Sequence, residues 1–136
     1  MRDINKIIIH CSATREGQDV SIETIRRWHV VERGWSDIGY HYVIGLDGSV
    51  HKGRLNNVQV AHTKWHNKNS LGICYIGGCD QDMNPKDTRT DAQKRSFLIL
   101  LEGLKSIYTK ATVHGHNEFS DKACPSFNVE KEYGYL

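Results

Sequence analysis

The chain has 136 residues, 38% of them hydrophobic and 25% charged, enough to bury a core and unlike a disordered or fibrous polypeptide. Its 18 Lys and Arg against 16 Asp and Glu leave a net charge of +2 with no basic stripe, so nucleic acid is not an expected partner. The apolar run Ile7-Ile8-Ile9 is too short for a membrane span or a signal peptide; the expectation is one domain over residues 1–136, monomeric and made in the cytoplasm without an export signal.

Lys6 to Cys11 is a β-branched run of the kind buried on both faces of a sheet. Strand alternation places Lys6, Ile8 and His10 on one face and Ile7, Ile9 and Cys11 on the other, so His10 and Cys11 are not expected to share a metal. Ser21 is a good N-cap for a helix over Ile22 to Arg33, with Ile22, Ile25 and Trp28 inward and Gly34 as the stop. His41 to Leu46 and Ser49 to Lys52 flank Asp47-Gly48, which predicts a hairpin with a two-residue turn.

Ser70 to Ile76 reads as a further strand closed by Gly77-Gly78, and Cys79 to Thr88 as polar loop. Thr90 opens the longest helix: Thr90 and Gln93 fit a capping box, and Phe97, Leu100, Leu101, Leu104, Ile107 and Tyr108 recur on one face. A last strand, Ala111 to His114, leads to His116 and a terminal loop with Cys124-Pro125. The order implies an α/β fold, a mixed central sheet with helices packed on it.

Four cysteines (Cys11, Cys74, Cys79, Cys124) read as thiols, since a chain of this length with no export signal needs no disulfide framework. Eight histidines raise the question of a metal. Catalytic zinc usually has three protein ligands and an open fourth position, and His10, His116 and Cys124 are candidates, each at or beyond a strand end. Spacing alone does not separate such histidines from satisfied core or surface residues. His29 reads as packed core, His51 and His66 as surface, and His114 as alternating away from His116. Trp35 and Trp65 could line a groove or belong to the core.

Several segments taken together resemble one family. Ile9-His10-Cys11-Ser12-Ala13-Thr14, Arg26-Arg27-Trp28-His29, Gly34-Trp35-Ser36-Asp37-Ile38-Gly39-Tyr40-His41-Tyr42, Asp47-Gly48-Ser49-Val50 with Gly53-Arg54, Asn69-Ser70-Leu71-Gly72-Ile73, Gly115-His116-Asn117-Glu118 and Lys122-Ala123-Cys124-Pro125-Ser126-Phe127 are similar to the motifs of type 2 N-acetylmuramoyl-L-alanine amidases, which include phage lysozyme-type amidases and peptidoglycan recognition proteins. The resemblance runs over roughly residues 6 to 129. The segment from Cys79 to Thr88 matches no family motif, and the expectation is a domain without the N-terminal extension of some phage relatives and without a wall-binding module.

The resemblance implies one Zn2+ held by His10, His116 and Cys124, with Tyr40 and Lys122 as catalytic partners and His62 and Asn69 as substrate contacts. It implies hydrolysis of the amide between the lactyl group of N-acetylmuramic acid and L-alanine, in intact wall or in soluble muropeptides. The alternative is a recognition module that binds peptidoglycan without cutting it, and a retained Cys124 speaks for the enzyme. Two neutral imidazoles and one thiolate leave the dication about one net positive charge, enough for Lewis-acid work. Lys122, two residues before Cys124, falls on the same side of an extended segment. With a reference pKa near ~10.4 its ammonium suits an oxyanion better than a proton to be abstracted.

Overall fold

A computed structural model describes residues 2–136. Its strands are β1 (Lys6–Cys11), β2 (Thr14–Arg15), β3 (Tyr42–Ile44), β4 (Val50–Lys52), β5 (Ser70–Tyr75), β6 (Gly78–Cys79) and β7 (Thr112–Gly115), and its helices are α1 (Ile22–Arg27), α2 (Asp91–Ile107) and α3 (Val129–Tyr133). Five strands form one mixed sheet in the order β4-β3-β5-β1-β7. β1 runs parallel to both of its neighbours, β3 runs parallel to β5, and only the edge strand β4 is antiparallel.

The β-branched run of β1 sits mid-sheet because both of its faces are covered, as parallel strands require. Ile7, Ile9 and Cys11 join Leu71, Ile73 and Tyr75 against Phe97, Leu101 and Leu104 of α2 and Val129 and Tyr133 of α3. On the opposite face Val43, Cys74 and Ile76 meet Ile22 and Ile25 of α1 and Ile38. Each fully buried side chain of this size contributes about 1.5–3 kcal/mol relative to exposure. β1 and β7 end side by side, and the carboxyl ends of parallel strands are where α/β sheets offer their crevices.

The caps read from the sequence are present. Ser21 Oγ accepts the Thr24 N–H, and Thr90 and Gln93 exchange both capping-box bonds. The first helix is shorter than expected: it is α-helical only to Arg27 and widens into a π turn over Trp28–Glu32. That turn carries His29 inward with 6% exposure. The hairpin turn also differs. Gly45 N–H donates to Ser49 O and Gly48 N–H to Gly45 O, so three residues connect the arms, with Gly48 at φ +86° in the left-handed position that such a turn needs.

Ile107 was expected on the inward face of α2 but is 67% exposed, because the chain turns off toward β7 at the end of that helix. The polar segment after Gly77 is not all loop: Gly78–Cys79 pairs in parallel with β2. The stretch after Cys124 closes with α3, N-capped by Asn128 accepting the Lys131 N–H. All four cysteines are free thiols. No helix among the described residues is long and apolar enough to cross a membrane.

Candidate metal centre and active site

His10 is next to last in β1, and alternation aims its ring to the α1 side of the sheet. His116 follows β7 as the first residue of a 3-10 turn over His116–Glu118. That turn is held by Glu118, whose carboxylate accepts the Gly115 N–H at 2.6 Å and pairs with His114 Nδ1 at 2.9 Å. Cys124 comes back over the strand ends and its Sγ accepts the Cys11 backbone N–H at 3.2 Å. Cys11 thus turns its side chain away from His10, as alternation predicts, while its main chain secures the third candidate ligand.

One ligand atom from each of His10, His116 and Cys124 lies within 4.8 Å of the others. The His10 and His116 rings are 4.5 Å apart, and His10 Nδ1 is 3.7 Å from Cys124 Sγ. Two donors sharing a tetrahedral zinc, with Zn–N about 2.0–2.1 Å and Zn–S about 2.3 Å, stand about 3.6 Å apart. The donor set and its spacing therefore fit zinc.

The three residues open into a cavity of about 200 Å³ whose wall includes His29, Trp35, Tyr40, His62 and Lys122. The Tyr40 ring is 5.2 Å from that of His10 and 5.5 Å from that of His29. Lys122 is exposed on the rim, and among the described residues no carboxylate lies within ion-pair distance of its ammonium.

The electrostatics suit a metal at neutral pH. Burial, then neighbouring His62, His116 and Lys122, push His10 well below the usual imidazole range, and burial followed by Lys122 lowers His116. Both rings are neutral and keep a lone pair for a cation. Hydrogen bonding with Cys11 and burial hold the Cys124 thiol above its ordinary value, so a dication loaded there displaces a proton. Burial, then the neighbouring cysteines, raise the Tyr40 phenol well above its usual value, and it remains a hydroxyl.

The structure thus brings together six of the seven residues singled out from the sequence. Asn69 is elsewhere: its side-chain amide donates to Asp3 O at 2.8 Å, and it does not line the cavity. His62 is 8% exposed, with one ring nitrogen 2.8 Å from His10 Nε2 and the other 2.8 Å from Ser70 Oγ. Both of its nitrogens are used inside the protein. His29 is buried as expected, and its Nδ1 accepts the Gly39 N–H at 2.8 Å, but it also walls the cavity.

Arg33 lines the cavity too and was not foreseen, since nothing in a helix-end arginine announces it. His51 is exposed, and His66 stacks on Phe119 at 4.2 Å. Trp35 lines the cavity, while Trp65 is 87% exposed.

The chain matches the N-acetylmuramoyl-L-alanine amidase family over residues 1–127. It is 41% identical over 130 residues to an endolysin of Klebsiella phage KP32, covering 96% of this chain and 85% of that one. It is 42% identical over 125 residues to the endolysin of Escherichia phage T7, covering 92% and 82%. Its fold superposes on the Ph2119 endolysin of a Thermus scotoductus bacteriophage with a TM-score of 0.81 at 31% identity, over 92% of this chain and 79% of that one. With motifs, fold and site in agreement, the chain belongs to the type 2 N-acetylmuramoyl-L-alanine amidase and peptidoglycan-recognition superfamily.

Proposed function

We propose that this protein is a zinc-dependent peptidoglycan amidase that hydrolyses the bond between the lactyl group of N-acetylmuramic acid and L-alanine of the stem peptide. The observation that carries this reading is the convergence of His10, His116 and Cys124 within 4.8 Å at the floor of an open cavity. A module that only binds peptidoglycan has no need of a metal-ligating thiol, so the same convergence favours the enzyme over the recognition module. The family match and the likeness to phage endolysins support it.

Zinc held by this set supplies Lewis acidity toward a carbonyl oxygen and acidifies water. The chain's own residues do the rest. Attack on an amide carbonyl places negative charge on its oxygen, and the Lys122 ammonium on the cavity rim is a preformed positive partner for that charge. The neutral Tyr40 hydroxyl can donate a hydrogen bond to the same oxygen or orient the attacking water. Trp35 and His29 give the cavity an aromatic wall that limits solvent around the developing charge.

Chelator-stripped protein should not clear permeabilised Gram-negative cells, and stoichiometric zinc should restore clearing in the parent but not in Cys124→Ala. Undiminished clearing by verified metal-free protein would overturn the reading.

A further inference from the structure

We propose that His62 is a positioning residue for the metal rather than a substrate contact: it receives the Nε2 proton of His10, so that His10 presents a bare Nδ1 toward His116 and Cys124. This rests on the zinc reading above. A neutral imidazole carries one N–H and one lone pair. His10 Nδ1 is the nitrogen that faces Cys124 Sγ, and it must be unprotonated to ligate. The proton then sits on Nε2, where His62 Nδ1 at 2.8 Å is the nearest acceptor.

Acceptance at Nδ1 puts the proton of His62 on Nε2, where Ser70 Oγ accepts it at 2.8 Å. Thr63 Oγ1 braces the junction, 3.0 Å from His62 Nδ1 and 3.2 Å from His10 Nε2. The whole chain is out of water: His10, His62, Thr63 and Ser70 are 1%, 8%, 2% and 0% exposed. Running the chain in reverse would put a proton on His10 Nδ1 and block the metal. Partners of this kind usually contribute ten- to a hundredfold in metal affinity.

The surrounding backbone is built to hold this ring. Asn67 Oδ1 accepts the N–H groups of both His62 and Thr63, at 2.9 and 2.8 Å. Gly72 of β5 supplies the space, since a Cβ there would stand 2.8 Å from His62 Cγ. With both ring nitrogens committed, His62 has no polar atom left for a ligand, although its ring is part of the cavity wall.

The test compares His62→Leu with His62→Asn, whose Oδ1 can stand where Nδ1 is and only accepts. Zinc affinity, measured against a chromophoric chelator, should fall at least tenfold in His62→Leu and stay within about threefold of the parent in His62→Asn. In the zinc-free parent, nitrogen NMR should find His10 with its proton on Nε2. His62→Leu binding zinc as tightly as the parent would overturn the role of His62 alone. A parent that binds no zinc would overturn both this role and the metal reading. Should His62→Leu not fold, a tenfold loss of zinc affinity in His62→Asn would equally overturn it.

Discussion

Cys124 Sγ and His10 Nδ1 stand 3.7 Å apart although 114 residues separate them in the chain. The sheet supplies one and a returning loop the other, so their closeness is a product of the whole fold. Removing the thiol should therefore cost metal binding far more than folding. Cys124→Ala is expected to unfold within about 1 kcal/mol of the zinc-free parent, because the lost side chain is only partly buried. Zinc at a thousand times its dissociation constant should stabilise the parent by about 4 kcal/mol and leave the variant nearly unchanged. Equal stabilisation of both by zinc, measured as thermal shifts, would remove Cys124 from the ligand set.

Lys122 should act on rate and little else. Its ammonium has no ion pair among the described residues, and the residue is exposed. Lys122→Ala is expected to lower kcat roughly a hundredfold, about 2.7 kcal/mol, with zinc content and KM near the parent. Lys122→Arg should recover part of the loss, since a guanidinium keeps the charge but differs in shape and reach. A kcat within about threefold of the parent in zinc-verified Lys122→Ala would end the oxyanion role.

Arg2 ties down the segment that carries His62. Its guanidinium donates to Asn56 O at 2.9 Å, Asn67 O at 3.2 Å, Lys68 O at 3.1 Å and Ser70 O at 3.1 Å. Bonds to a charged donor contribute about 1.5–3 kcal/mol each in isolation, less when shared. Arg2→Ala should lose about 2–4 kcal/mol in urea unfolding, and Arg2→Lys should rescue less than half because one ammonium cannot span four carbonyls. A loss under about 0.5 kcal/mol would show the contacts to be incidental.

Stability should fall on mild acidification. Burial, followed by nearby arginines, lowers His29 to about 4. His41 is also lowered to about 4, mainly by burial, with Gly72 N–H donating to its Nδ1 and its Nε2 donating to Val58 O. Unfolded histidines take up a proton near ~6.5. Below that pH the unfolded state binds protons that the folded state refuses, so stability is full above about pH 6.5 and declines as pH falls toward 4. Each group contributes at most about 3 kcal/mol, and lowered His10, His62 and His116 act in the same direction in zinc-free protein. Urea midpoints equal at pH 7.5 and 4.5 would contradict these shifts.

Features that depend on a few neighbouring residues were legible in the sequence. The Ser21 cap, the Thr90–Gln93 box and the opposed faces of His10 and Cys11 follow from local rules, and they are present. The hairpin was legible but not its three-residue turn, because Asp47-Gly48 suits either length. The π turn at Trp28–Glu32 left no trace, since its residues keep a helical pattern. The metal set was visible as residue types, but joining positions 10, 116 and 124 took the family resemblance. The link from His10 through His62 to Ser70 depends on three separate segments meeting, and no spacing in the chain announces it. Asn69 shows the opposite case: a motif position whose side chain is spent on the Asp3 carbonyl.

Which bond the protein cuts can be read from its products. Purified sacculi incubated with the zinc-loaded protein should release stem peptides that begin with a free L-alanine amine, while mass spectrometry finds glycan strands with intact lactyl carboxylates and unbroken sugar linkages. Release of disaccharide-bearing fragments, or no release by fully zinc-loaded protein that still binds the sacculi, would contradict the amidase assignment.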